Sequence, residues 1–170
     1  MDDVPVVGKI QVSQDLRFQR RMWRAQRIGW ALMLLTLAAG VGGVFGEGPL
    51  ARGRAGDPAG PLSVDYERIS RYFSPDQIRI SAAPEAVTAD TLRIWLDEAF
   101  LAGLRIDRIT PEPARVANGA GRIEYAFLVT DPGARATVVF DVAPGRPWLR
   151  RGHVGLDRGT PLAVTQFVWP

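Results

Sequence analysis

From Leu62 to the C-terminus, apolar residues recur at every second position. Leu62, Val64 and Tyr66 alternate in this way, as do Ile78 and Ile80, then Leu92, Ile94 and Leu96. Leu104 and Ile106 follow, then Ile123, Tyr125, Phe127 and Val129, and then Ala136, Val138, Phe140 and Val142. Val154 with Leu156, and Leu162, Val164 and Val168, complete the series. A period of two puts successive side chains on opposite faces of a strand, so the pattern predicts seven or eight short strands. Turn chemistry separates them at Asp131-Pro132-Gly133, Pro144-Gly145 and Asp157-Arg158-Gly159, with Asn118-Gly119 inside a Pro-containing loop over 111–121. Asp97–Gly103 breaks the alternation and reads as one helical turn, with Asp97 as N-cap and Gly103 ending it. Short strands at this spacing predict a mainly β fold, an antiparallel β-sandwich of the immunoglobulin or fibronectin type, with a small barrel as the alternative. No Cys…Trp…Cys spacing is present to make it a true immunoglobulin domain.

The N-terminal segment is patterned differently. Ile28 to Gly46 is a run of 19 residues without a charge, IGWALMLLTLAAGVGGVFG. As a helix it would be roughly 28 Å long, close to the hydrocarbon thickness of a bilayer at about 30 Å. Its strong apolar residues favour insertion by about 2–5 kcal/mol together, diluted by five glycines. We therefore expect a single transmembrane α-helix over 28–46, with Trp23 and Trp30 as interfacial anchors. A cleaved signal peptide is the rival reading, because small residues around Ala38–Gly43 could serve a peptidase. The 27 residues before the run and its own length favour a retained anchor. A buried core helix fits poorly, given the arginines before the run and the glycines at its far side. Arg17, Arg20, Arg21, Arg24 and Arg27 fall within an arc of about 120° on a helix, giving residues 1–27 one basic face suited to anionic headgroups or a cytoplasmic partner. Gly42 and Gly46 form a GxxxG, and Ala39 and Gly43 a second pair of small residues, a spacing that lets helices approach closely.

Composition changes this picture in two places. Residues 46–61 hold five glycines and three prolines, so 47–61 is expected to be a tether without a packed element, leaving 62–170 as the folded domain. The net charge of +3 divides unevenly: residues 1–27 carry six basic and three acidic groups, whereas 62–170 carry 13 of each. The basic excess lies before the apolar run. That predicts a cytoplasmic N-terminus and an exported, periplasmic or extracellular domain at a bacterial cell membrane, and it removes any electrostatic footprint for nucleic acid. With one lysine among 21 basic residues, the chain also has the arginine-rich composition of a GC-rich bacterial genome.

Candidate chemistry is sparse. There is no cysteine, and His153 is the one histidine, so the usual zinc ligand sets are excluded and no cofactor is implied. No nucleophile setting such as GxSxG surrounds Ser63, Ser70, Ser74 or Ser81, and no Gly-rich loop leads from a strand into a helix. Asp97 and Glu98 read as capping residues and Glu112 as a solvated loop residue. Recognition candidates remain: Trp95 with Arg93 on the face opposite Ile94 and Leu96, and Trp148, Arg150, Arg151 and His153 around one turn and strand. Trp and Arg are enriched in binding hot spots, although Trp95 and Trp148 could equally cover the faces or ends of a sandwich.

In its order (basic helix, WALMLLTL span, Gly/Pro tether, β domain ending QFVWP) the chain resembles uncharacterised bacterial single-pass membrane proteins with a small extracytoplasmic β-sandwich. The resemblance implies an anchored architecture and carries no site residues. The expectation is a non-enzymatic accessory subunit that contacts membrane lipid and binds another membrane or envelope protein. A glycan-, peptidoglycan- or lipid-binding domain is the alternative.

Overall fold

The computed structural model describes residues 16–42 and 51–170. The chain divides into two compact units, Met1–Ala38 and Ala39–Pro170.

Helix α1 spans Leu16–Gly42. Its first two-thirds are rich in Leu, Arg, Gln, Met and Ala, all strong helix formers, so over residues 16–42 the basic segment runs into the apolar one as one continuous helix. At 27 residues it is about 40 Å long. The stretch Gln19–Gly42 is long and apolar enough to cross a membrane by length and composition. Arg20, Arg21, Arg24 and Arg27 are exposed, as are Trp23 and Trp30. The Arg27 guanidinium lies 3.6 Å from the centre of the Trp23 ring, the contact that a four-residue spacing on a helix allows. Ala39 and Gly42 lie on the last turns of α1; Gly43, Gly46 and the side chain of Arg17 lie outside what the structure describes.

All eight expected strands are present in the second unit. They are β2 (Leu62–Glu67), β4 (Asp76–Ala82), β6 (Thr91–Asp97), β7 (Leu104–Thr110), β9 (Arg122–Leu128), β10 (Ala136–Pro144), β11 (Trp148–Leu156) and β12 (Leu162–Trp169). Four more lack apolar alternation: β1 (Arg52–Ala55), β3 (Ile69–Arg71), β5 (Val87–Thr88) and β8 (Arg115–Gly119). They form two sheets, ordered β1-β2-β4-β10-β7 and β3-β12-β11-β6-β9-β8, with β5 added to β6. The inward positions of both sheets make one core. Val64, Ile80 and Phe140 from the first sheet and Leu92, Ile94, Leu96 and Val154 from the second are all fully buried. Tyr125 of the second sheet meets Phe140 of the first edge-on at 5.3 Å, joining the layers at their middle. Each such side chain contributes about 1.5–3 kcal/mol by leaving water.

Three expectations are corrected here. The composition of the tether predicts no packed element, yet Arg52–Ala55 pairs antiparallel with β2, from Arg52 opposite Glu67 to Ala55 opposite Val64. Ala51 is buried at its start. The strand alternates arginine outward with small residues inward, so it has no large apolar side chain to show a period. A Cβ at Gly53 would come within 2.5 Å of the Arg68 side chain, so a larger residue there would have to displace that arginine. Second, Asn118 and Gly119 are strand residues, and the turn falls two residues later. Ala120 (φ 54°) and Gly121 (φ 73°) form the two-residue loop that links β8 to β9, both in the left-handed region that a type I′ turn requires. Third, the second sheet is mixed: β3 runs parallel to β12, with Ile69 opposite Phe167. β3 follows β2 after Arg68 alone and crosses into the other sheet, so no hairpin imposes an antiparallel direction.

Helix α2 (Glu98–Leu101) is the expected helical turn, and it buries Phe100 and Leu101. Asp97 occupies the N-cap position but makes no capping bond through its side chain, which is turned instead to β11.

Candidate functional site

The recognition residues expected from the sequence separate into three places. Trp95 lies on the outer face of the second sheet, as its phase requires, but it is only 9% exposed. The residue opposite it on β11 is Gly155, and a Cβ there would fall 2.5 Å from the indole. That missing side chain lets the ring lie flat against the sheet. The indole Nε1–H donates to the Leu156 carbonyl at 2.9 Å, and the Arg122 guanidinium covers the ring at 3.9 Å from its centre. The expectation of Trp95 as an open contact residue is thereby corrected, since Gly155 and Arg122 enclose it. Replacing Trp95 with phenylalanine should cost about 1 kcal/mol for the lost hydrogen bond, read as a lower urea midpoint; an unchanged midpoint would show that the indole N–H contributes nothing. Arg93, beside it, is exposed and lies 3.8 Å from Asp157.

His153 is exposed on β11, and its Nδ1 lies 2.9 Å from Asp97 Oδ2. The same oxygen accepts the His153 backbone N–H at 2.8 Å. A carboxylate at Nδ1 calls for the proton on that nitrogen in the neutral ring, which leaves Nε2 as the acceptor. The pair thus ties the start of α2 to β11 and orients the imidazole outward. Arg151, also exposed, is on the same face, opposite Thr165 of β12.

Arg150 departs most from expectation. Its place in the chain groups it with the surface residues, but it shares the inward phase of Gly152 and Val154 and is half-buried. Its Nη2 donates to the Phe100 carbonyl, and the guanidinium lies 4.8 Å from the centre of the Phe100 ring. Its Nη1 reaches Gln166 Oε1 at 3.5 Å. Gln166, 1% exposed on β12, donates its Nε2–H to Asp76 Oδ2 at 2.6 Å and to the Glu67 carbonyl at 3.0 Å. Asp76, at the start of β4, also accepts the Gln77 backbone N–H at Oδ1. A polar chain thus crosses the core from sheet to sheet: Arg150, Gln166, Asp76. Burial pushes the Asp76 carboxyl up to about 7, helped by the Glu67 charge and opposed by the Gln77 and Gln166 hydrogen bonds and by Arg150. Burial likewise lowers Arg150, against the pull of Asp76. A readable signal exists for all three. Asp76, Arg150 and Gln166 each fall in phase with the core positions of their strands, where a polar residue needs a partner.

Trp148 opens β11 and is 62% exposed, with Leu149 beside it at 53%. Trp148 has φ 81°, a left-handed backbone that a bulky residue rarely adopts.

A concavity of about 260 Å³ on the second sheet is lined in part by Trp95 and Arg122. One of about 470 Å³ at the β5–β6 end is lined by Glu85, Thr88, Arg93, Asp157 and Arg158. Another of about 470 Å³ on the first sheet has Glu67, Asp76, Asp107 and Asp141 along its lining. Among the described residues no three His, Asp or Glu side chains come together as a metal site would need. No family model matches the chain, and no curated protein matches it.

Proposed function

We propose that the chain is a non-enzymatic, membrane-anchored interaction module, an accessory subunit whose β domain binds another membrane or envelope protein. Helix α1 supports the anchor by its length and apolar composition. The positive-inside bias of residues 1–27 supports a cytoplasmic N-terminus and an exported domain at a bacterial inner membrane. The finer fold reading is a sandwich of immunoglobulin or fibronectin type. Two sheets closing on one core support it, while sheets of five and seven strands differ from the four-plus-three immunoglobulin arrangement.

The observation that carries the protein-partner reading is β8. All five of its residues are exposed, and it forms the edge of the second sheet, so one side of its backbone is open to a partner strand. A photo-cross-linker placed at Val116 in the intact chain should give a discrete adduct in native membranes, whereas one at Leu128 should not. Gentle solubilisation that yields only monomer, with no Val116 adduct, would overturn the proposal. A ligand-binding reading for glycan, peptidoglycan or lipid draws its support from Trp148, whose indole is open, and no longer from Trp95.

A further inference from the structure

At one end of the second sheet, exposed and half-buried apolar side chains collect from three segments of the chain. Tyr72 and Phe73 follow β3, Trp148 and Leu149 open β11, and Phe167 and Trp169 close β12. Hydrogen bonds and register hold them together. The Tyr72 N–H donates to the Trp169 carbonyl at 2.8 Å, and the Phe73 N–H to the Pro144 carbonyl at 3.0 Å. Leu149 stands opposite Phe167, which stands opposite Ile69. The Tyr72 and Phe73 rings lie 4.2 Å apart, and those of Phe167 and Trp169 meet edge-on at 5.2 Å. Phe73 is 52% exposed and Trp148 62%.

Exposure here is maintained against a conformational cost. Phe73 (φ 57°) and Trp148 (φ 81°) both have left-handed backbones, which are strained for bulky residues. The strain turns two large aromatic side chains outward at the same end of the domain.

Two further observations identify what covers this surface. The first is charge. Arg71 stands opposite Trp169, Arg151 follows two residues after Leu149 on the same face, and Arg146 lies in the turn before Trp148. All three are exposed, and none forms an ion pair with a carboxylate among the described residues. The carboxylates of this end open instead on the first sheet, around Glu67, Asp107 and Asp141. The second is chain position. The described residues resume at Ala51, whose carbonyl accepts the N–H groups of Arg68 and Ile69, so this point of the chain lies beside β3 at this same end. The nine peptide links from Gly42 to Ala51 reach at most roughly 30 Å.

We infer that this surface rests on the anionic phospholipid headgroups of the bilayer that α1 crosses, its aromatic and Leu side chains at the interface and its arginines on the phosphates. Trp and Tyr rings favour the headgroup level, and basic side chains beside them add attraction to anionic lipid. The inference rests on the membrane reading of α1, and the two fail in different ways.

The test uses the full chain, which has no cysteine of its own, so each introduced cysteine carries the one spin label. Phe73→Cys, Leu149→Cys and, at the other end of the sheet, Leu128→Cys are labelled in vesicles of phosphatidylcholine with one-quarter phosphatidylglycerol. Flotation with the vesicles and resistance to carbonate extraction test the anchor by themselves. For anchored protein, labels at 73 and 149 should collide more with dissolved oxygen than with an aqueous nickel chelate, and the label at 128 the reverse. Arg71→Gln with Arg151→Gln should shift the docking equilibrium toward the undocked domain by roughly tenfold or more, as should pure phosphatidylcholine. Labels at 73 and 149 as aqueous as that at 128 would overturn the inference while leaving the anchor intact. Protection of both from both reagents would overturn it too, because it would place a second copy or another protein on the surface.

Discussion

Raising the pH from 4 to 8 should destabilise the β domain, and Asp76→Asn should remove most of that dependence. The Asp76 carboxyl titrates near 7 in the folded chain against an ordinary value of 3.8. Between those values the folded state holds a proton that the unfolded state has lost. Folded protein therefore binds more protons, and stability falls as pH rises. The contribution is complete below about pH 4 and gone by about pH 7, with a ceiling of roughly 4 kcal/mol. The cause is mainly burial: Asp76 is 4% exposed, and ionising it there forfeits hydration. Asparagine has the same shape but cannot ionise. It also accepts poorly from two donors at once, and both the Gln77 N–H and the Gln166 amide donate to this group. Asp76→Asn should thus be less stable than the parent at pH 4.5 and close to it or above it at pH 8. Urea unfolding followed by near-ultraviolet circular dichroism at several pH values gives both curves, and their difference isolates Asp76 from every other titrating group. Parallel curves would show that Asp76 does not hold its proton as the structure requires.

Phe100→Ala should cost about 3–5 kcal/mol, the range for truncating a buried phenylalanine. Phe100 is 2% exposed on α2 and packs so closely on β11 that a Cβ at Gly152 would come within 2.4 Å of its own Cβ. The ring also supports the Arg150 guanidinium, which reaches Gln166 and, through it, Asp76. Loss of the ring should therefore do more than open a cavity. Freed from its support, Arg150 leaves the buried carboxylate without its nearest cation. The double variant with Asp76→Asn should then be more stable at pH 8 than the sum of the two single effects allows, by more than about 0.5 kcal/mol. Strict additivity would show that the ring and the polar chain act independently.

What the sequence discloses and what it hides follow from the same rule. A period of two is visible where large apolar residues mark one face, and every strand so marked is present. β1 alternates arginine with glycine and alanine, and β8 is exposed on both faces, so neither has an apolar face to detect. β3 and β5 have only three and two residues, too few for a period. Pairing across strands is beyond reach as well. The phase of Trp95 places it outward, but only the register that sets it against Gly155 shows that the ring is covered. Proximity in the chain groups Arg150 with Arg151, although counting back from Val154 in steps of two turns it inward. The polar core and the aromatic end depend on contacts between distant segments, such as Asp76 with Gln166 and Tyr72 with Trp169. No local pattern encodes these.

The position of β1 also has a mechanical consequence. It is a strand within the Gly/Pro segment and lies at the free edge of its sheet, held by four register pairs to β2. Tension applied to the chain at Ala51 meets first the hydrogen bonds that its carbonyl accepts from Arg68 and Ile69, and then those four pairs. Pulled along the strand, the four pairs resist together in shear; pulled across it, they open in succession like a zip. β1 is therefore the first strand to be loaded, and its release would lengthen the leash by its own four residues and by residues 56–59 after it, up to Gly60, whose carbonyl Arg135 holds.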